Sequence, residues 1–332
     1  MKILAADIGG TNSRLIYGAY TDKQFQVLAQ ARYRSTQYQG FMDVVNDFLS
    51  ANSIRNGIDS ACLAVAGPVK DGHASVTNLP WQLDERELSE TLAIPRLKLL
   101  NDFVALAHGI DSVSDTDSLL IQAGEHQAQH PDAAIVGAGT GLGACHRVWR
   151  GGRYQVFSSE AGHAGFAPQN ALQCELLNWL SRDNAHVSVE MLLSGQGLGR
   201  IYRFLADIKG LAESAELKRA MTDSDPARII SQHALAQDDV LCEQTLTCFV
   251  DIYGAAVGDI VLHYYPLQDV YIAGGIAAKI KQLIMGERFL RAFCNKGPMA
   301  SNMRQLRVKL ISDDNVGLYG ALNYARLICE TG

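Results

Sequence analysis

DIGGTNSR, residues 7–14, closes one apolar run and opens the next. Residues 2–8 read as a buried strand, Gly9-Gly10-Thr11-Asn12 as a polar turn, and residues 14–20 as a second strand. Two β-prone runs joined by a short glycine turn predict a hairpin. Glycine lets backbone N–H groups approach a phosphate and reaches positive φ without steric cost. Thr11 adds a hydroxyl donor. Asp7, at the strand end, places a carboxylate where it can orient magnesium through water. Alone, the turn reads equally well as a tight hairpin or as a phosphate grip.

Outward from it, residues 25–33 read as a third strand. Residues 41–50 have helical spacing, with Phe41, Val44, Val45, Phe48 and Leu49 on one face. Strands are expected at 60–65 and 97–100, the latter running straight into a helix from Asn101 to about His108. The pattern then restarts: strand 133–136, the glycine turn Gly137-Ala138-Gly139-Thr140-Gly141, and strand 143–149. This echo of the first hairpin suggests two related halves. Helices are expected near 171–182, 189–205 and 238–263. A strand at 270–273 ends in Gly274-Gly275, and strand 307–311 and helix 317–328 finish the chain. Strands alternating with helices predict an α/β fold. We place a small domain at 1–110 and a large one at 111–314, with the last helix, about 315–332, packing back on the small domain.

The 332 residues suit about two domains. Hydrophobic residues make up 48% and charged ones 19%, as in a globular protein with a sizeable core. A net charge of -6 argues against nucleic acid as a partner. The seven cysteines, 62, 145, 174, 242, 248, 294 and 329, form no C-x-x-C and no zinc spacing. Scattered and odd in number, they read as reduced, mostly buried thiols of a cytoplasmic protein. No uninterrupted apolar run reaches about 18 residues, so no membrane span is expected. Asp7 cuts the first apolar stretch too early for a signal peptide.

The common nucleotide motifs fail. A P-loop needs Gly-Lys, a dipeptide this chain lacks. A Rossmann fingerprint starting at Gly137 meets Leu142 at its sixth position, followed by a strand instead of a helix. What remains is an ordered set: Asp-x-Gly-Gly-Thr, then Gly-x-Gly-Thr-Gly with Thr140 as a second hydroxyl donor, then an apolar strand ending in Gly-Gly.

DIGGTNSR (7–14), GAGTGLG (137–143) and YIAGGI (271–276) resemble the two phosphate motifs and the adenosine motif of the sugar kinase–actin–Hsp70 superfamily. LLNDFVALAHG (99–109), EAGHAGFAP (160–168), HVSVEMLLSG (186–195) and DDNVGLYGA (313–321) extend the match to bacterial glucokinases of the proteobacterial type, from residue 3 to about 325. The resemblance implies a two-domain actin-like ATPase fold, ribonuclease H-like, with a cleft between a small and a large domain. It implies transfer of a phosphate from ATP, with magnesium, to the 6-hydroxyl of glucose, giving glucose 6-phosphate and ADP at the start of glycolysis. Mannose or an amino sugar is the alternative acceptor. A homodimer in the cytoplasm is implied on the same ground.

The resemblance assigns nucleotide contacts to Ala6, Asp7, Ile8, Gly9, Gly10 and Thr11, to Gly137, Gly139, Thr140 and Gly141, and to Gly274 and Gly275. It makes Asp102 the catalytic base. Asp102 follows Asn101, a good N-cap, and so lies in the first turn of a helix, whose dipole favours its ionised form. Its work is to orient the sugar hydroxyl and accept its proton. Asn101, Asp102, Glu160, His163 and Glu190 are the implied sugar ligands, since desolvated hydroxyls need fixed partners. Asn78, in TNLPW (77–81), joins them from a loop, and Trp81 is expected in the core. Ala161-Gly162 replaces the Gly-Gly often found before the loop histidine, which leaves the loop shape open. Gly165 stands where relatives can carry an acid. Gly317, Gly320 and Ala321 suggest close helix packing, and residues 313–315 a cap. No cysteine-rich zinc motif is present.

Two other classes compete with this reading. Related sugar-responsive regulators carry a DNA-binding helix-turn-helix ahead of the first glycine turn, and only six residues precede Asp7. A filament or chaperone ATPase of the superfamily would need insertions or a peptide-binding extension. The expectation is therefore an enzyme.

Overall fold

A computed structural model describes residues 1–21, 24–125 and 128–331. In chain order the elements are β1 (Lys2–Ile8), β2 (Asn12–Thr21), β3 (Gln24–Arg34), α1 (Phe41–Ala51), β4 (Ser60–Val65), β5 (Val69–Lys70), β6 (His73–Ser75), β7 (Gln82–Asp84), α2 (Glu85–Leu92), β8 (Leu97–Asn101) and α3 (Asp102–Gly109). There follow β9 (Ser118–Gln122), β10 (Ala133–Ala138), β11 (Leu142–Arg150), β12 (Arg153–Ser159), α4 (Ala171–Leu180), α5 (Gly195–Asp207), α6 (Ala215–Asp223), α7 (Pro226–Ala236) and α8 (Val240–Tyr264). The last are β13 (Asp269–Ala273), α9 (Gly275–Lys279), α10 (Lys281–Ile284), α11 (Glu287–Cys294), α12 (Ala300–Arg304), β14 (Arg307–Ile311) and α13 (Val316–Thr331). Gly332, the last position of the expected terminal helix, lies outside the described residues. The chain divides into two units, one of residues 1–113 with 314 onward, the other of residues 114–313.

In the first unit a five-stranded sheet runs β3-β2-β1-β4-β8. β1 pairs antiparallel with β2 and parallel with β4. Its run of apolar side chains is buried on both faces, as a central strand requires. Alternation sorts them: Leu4, Ala6 and Ile8 face Phe41, Val44, Val45 and Phe48 of α1, while Ile3 and Ala5 face Ala105 of α3 and Leu318, Ala321 and Ala325 of α13. Gly320 lies on the Ala105 carbonyl so closely that any β-carbon there would collide with it. Trp81 is buried, as expected.

In the second unit a six-stranded sheet runs β12-β11-β10-β13-β14-β9. β10 pairs antiparallel with β11 and parallel with β13, the same pattern that β1 makes with β2 and β4. The echo between the two glycine turns is thus an echo of topology. α8 is long and apolar enough to cross a membrane, with mean hydropathy 1.5, although acids interrupt its run. It is a core helix here: Phe249, Ile252, Tyr253 and Val257 pack among the helices and strands of this unit. Fully burying each such side chain contributes about 1.5–3 kcal/mol.

Two sequence expectations need correction. The helix expected at 189–205 begins at Gly195, with Ser194 as N-cap. The backbone N–H groups of Val189 and Glu190 donate instead to the carbonyls of Ala164 and Gly162, so this segment is committed to a loop before it. α6 and α7 were not foreseen, although Asp225-Pro226 carries an N-cap and an N1 proline. Five of the seven cysteines are buried, whereas Cys174 is exposed.

Candidate active site

The first unit holds the Asp7 turn at the end of β1. The Gly9 N–H donates to the Asn12 carbonyl at 3.0 Å, and the Ser35 hydroxyl donates to the Gly9 carbonyl at 2.8 Å. Ala6 and Ile8 are buried strand residues, while Thr11 is exposed. A β-carbon on Gly10 would stand 2.6 Å from the Thr77 carbonyl oxygen and 3.5 Å from Cβ of Asn78. The loop bearing Asn78 therefore abuts the glycine turn, a neighbourhood the sequence did not reveal. Asn78 is exposed and takes φ 64, a left-handed turn that asparagine tolerates.

Asp7 pairs across the hairpin with Arg14, its register partner on β2. The guanidinium lies 3.9 Å from the Asp7 carboxylate and 3.8 Å from that of Asp314, and also donates to the Asp314 carbonyl. Gly317 of α13 faces the Asp7 carboxyl. Burial pushes the Asp7 carboxyl above its ordinary pKa, Arg14 opposes this, and Asp314 adds to it. Sequence reading missed Arg14, although its cross-strand position opposite Asp7 was legible from the hairpin.

Asn101 ends β8 and caps α3. Its carbonyl oxygen accepts from the N–H groups of Phe103 and Val104, and its amide donates to the Gly67 carbonyl at 3.0 Å. Asn101 therefore fixes the start of α3, which aims Asp102. The Phe103 N–H donates to the Asp102 carboxylate at 3.0 Å. The helix start favours the ionised form of Asp102, as expected, but it is outweighed. Burial raises its carboxyl to about 7, the Asp7 charge adds to the rise, and the hydrogen bonds at the helix start only moderate it. A pKa near neutrality suits a base that must take a proton and later release it.

In the second unit, Gly137 lies within β10, paired with Gly143, and the turn itself is Gly139-Thr140-Gly141, closed by the Gly139 N–H on the Gly141 carbonyl at 2.8 Å. Gly274 packs on Ala138 with φ 90, a conformation glycine takes readily, and Gly275 opens α9. Tyr253, in the middle of α8, joins these parts. Its hydroxyl accepts from the Ala138 N–H at 3.1 Å and donates to the Ala273 carbonyl at 3.4 Å. No sequence motif marks that tyrosine.

Glu190 is held at the second turn. Its carboxylate accepts from the Leu142 N–H at 2.8 Å and fills the space a β-carbon of Gly141 would need. Its own N–H donates to the Gly162 carbonyl at 2.9 Å. Ala161–His163 form a single 3-10 turn, a conformation alanine accepts, and Gly162 is the position that leaves no room for a side chain. Glu160 and His163 project outward, 72% and 65% exposed, with His163 Nε2 4.0 Å from the Glu160 carboxylate. The structure thus joins Glu160, His163, Glu190 and the Gly139–Gly141 turn within one unit, and Asp7, Asn78, Asn101 and Asp102 within the other. Gly165 pairs with Ser188 in an isolated bridge, and a β-carbon on it would find only the His186 ring, at 3.8 Å.

The sequence model of the family Glucokinase matches residues 4–328. A glucokinase of Trichormus variabilis is 40% identical, over 96% of this chain and 97% of its own length. One from Colwellia psychrerythraea is 34% identical, over 97% and 95%. Among solved structures, a glucokinase from an Antarctic psychrotroph has TM-score 0.82 at 32% identity, covering 98% of this chain and 99% of that one. A ROK family glucokinase from Streptomyces griseus, in complex with glucose and AMPPNP, shares the fold with TM-score 0.63 at 18% identity, over 98% and 100%. A family match over almost the whole chain, with relatives at 34–40% identity and a fold shared with a solved glucokinase, means that this chain belongs to the glucokinase family.

Proposed function

We propose that the protein transfers the γ-phosphoryl group of ATP to the 6-hydroxyl of glucose, yielding glucose 6-phosphate and ADP. The observation that carries the reading is Asp102: a carboxyl titrating near neutrality, aimed by a capped helix start, in the same unit as the Asp7 glycine turn. Asp102 orients the 6-hydroxyl and takes its proton as oxygen bonds to phosphorus and the bond to ADP breaks. Gly10, Thr11, Thr140 and Gly141 offer backbone N–H groups, and Thr11 and Thr140 their hydroxyls, to the phosphates; Ala6, Asp7, Ile8, Gly9, Gly137 and Gly139 shape the two turns, and Gly274-Gly275 lie along the adenosine. Asn78, Asn101, Glu160, His163 and Glu190 serve the sugar hydroxyls.

Magnesium fits the residues present in a limited way. No group of three His, Cys, Asp or Glu that could cage a metal occurs among the described residues. Asp7 offers one carboxylate whose charge burial disfavours, which suits an ion held chiefly by phosphates and water. Bound there, magnesium would neutralise charge on the β- and γ-phosphates. A homodimer, a cytoplasmic setting and a place at the start of glycolysis belong to the same proposal and rest on the family resemblance.

A coupled assay across a sugar panel, with and without magnesium, tests the reading. Glucose is expected to turn over fastest, and chelation to abolish turnover. Mannose or an amino sugar outrunning glucose would overturn the substrate but keep the chemistry. ATP hydrolysis indifferent to every sugar would overturn both.

A further inference from the structure

In the second unit, residues 186–195 form a strap stitched to two of the places given above to substrates. On one side the strap holds the sugar loop. His186 Nε2 donates to the His163 carbonyl at 2.9 Å, and the Phe166 N–H donates to the Val187 carbonyl at 2.8 Å. The N–H groups of Val189 and Glu190 donate to the carbonyls of Ala164 and Gly162, each at 2.9 Å. On the other side the strap holds the second glycine turn. The Glu190 carboxylate accepts from the Leu142 N–H at 2.8 Å, and the Gly195 N–H donates to the Gly139 carbonyl at 3.0 Å. Loop and turn also touch directly, since a β-carbon on Gly162 would collide with the Leu142 carbonyl.

The strap is anchored unevenly. Leu192 and Leu193 are buried in the core of the unit, and Ser194 caps α5 by accepting from the Gly197 N–H at 3.1 Å. Glu190 and Met191 are only half-buried. Arg200, in the second turn of α5, reaches back to them. Its Nη1 donates to the Met191 carbonyl at 2.9 Å, and its Nη2 to the Gln196 side-chain oxygen at 3.1 Å. Gln196 lies one turn earlier on the same helix, so one arm of the guanidinium is fixed by α5 while the other grips the strap beside Glu190. A charged donor makes that bond stronger than a neutral one.

We infer that Arg200 is a positioning residue for both substrates. By holding Met191 it fixes the Glu190 carboxylate, and with it the second glycine turn, so that sugar on Glu190 and phosphate on the turn strengthen each other's binding. The inference rests on the kinase reading proposed above and adds a link that lies within one unit. In this role Arg200 acts through the strap, without a substrate contact of its own. A sugar that immobilises Glu190 leaves less of the turn to be ordered when phosphate arrives. The effect must be equal in both directions.

The test uses the full chain and Arg200→Met, which keeps an apolar stem but no donor, with Arg200→Lys as the conservative variant. Calorimetry measures AMPPNP binding without glucose and with glucose saturating, and glucose binding without and with AMPPNP. In the parent each ligand is expected to bind about fivefold more tightly, or better, when the other is present. In Arg200→Met both ratios should fall toward one together, and KM for glucose and for ATP should both rise about three- to tenfold, with kcat changing less. Arg200→Lys retains a charged donor for the Met191 carbonyl and should recover most of both ratios. An arginine that merely supports the fold would lower the urea midpoint or the active fraction and leave the ratios alone. Parental ratios in folded Arg200→Met, or a parent without mutual tightening, overturn the proposal. If Arg200→Met does not fold, Arg200→Gln takes its place in the same measurement. A parent that phosphorylates glucose while the variant's ratios stand unchanged sinks this inference alone. A parent that phosphorylates no sugar sinks the kinase reading, and this inference with it.

Discussion

Asp7 stands near enough to Asp102 for its negative charge to add to burial in raising the Asp102 carboxyl to about 7. Asp7, at the first glycine turn, thus acts on the proposed base. Arg14, 3.9 Å from Asp7, opposes the burial that disfavours the Asp7 charge.

The coupling predicts a pH profile. Asp102 must be ionised to accept a proton, so kcat/KM should fall below about pH 7 with a slope near one and level off above it. Asp7→Asn removes the like charge, so the midpoint should move to lower pH even if the plateau rate drops. A midpoint that stays in place would show that Asp7 does not act on the base.

Asp102→Ala should lower kcat by about 10²–10⁴, the usual worth of a general base, with ATP affinity nearly unchanged. Single-turnover kinetics with a separate nucleotide-binding measurement checks this. Turnover comparable to the parent would remove Asp102 from the role.

Asp102 also carries a stability signature. Its folded pKa lies above the ordinary 3.8, so ionisation disfavours the folded state. The penalty is absent below about pH 4, grows as pH rises toward 7, and is complete above it. Asp102→Asn should therefore be more stable than the parent at pH 8, by about 1 kcal/mol after allowance for partial exposure, with the gain vanishing near pH 4. Denaturant titrations at the two pH values measure it.

Gly141→Ala should push its new β-carbon into the Glu190 carboxylate and raise KM for both sugar and ATP. A double-mutant cycle with Glu190→Ala reads the contact directly, and the two changes should be non-additive. Additive effects would mean that the turn and the carboxylate act independently.

Tyr253→Phe leaves the Ala138 N–H and the Ala273 carbonyl without their shared hydroxyl. Urea unfolding should show a loss of about 1–3 kcal/mol. If the hydroxyl also holds the turn in register with the Gly274-Gly275 corner, KM for ATP should rise while KM for glucose changes little.

Much of this was legible in the sequence, because local patterns report local structure. The hairpin at Gly9-Gly10, its echo at Gly139–Gly141 and the central strands follow from glycine turns between short apolar runs. The capped start of α3 follows from Asn101. The order of the three glycine motifs carried the family, and with it the candidate ligands. Only the tertiary structure decided the rest, because the relevant contacts join residues far apart in the chain. Asn78 meets the first turn through Gly10, Glu190 settles on Gly141, and Tyr253 bridges two strand ends from the middle of a core helix. The charge state of Asp102 changed most. A helix start favours an ionised carboxylate, whereas burial beside Asp7 disfavours it. In a low-dielectric setting desolvation and like charge outweigh the dipole.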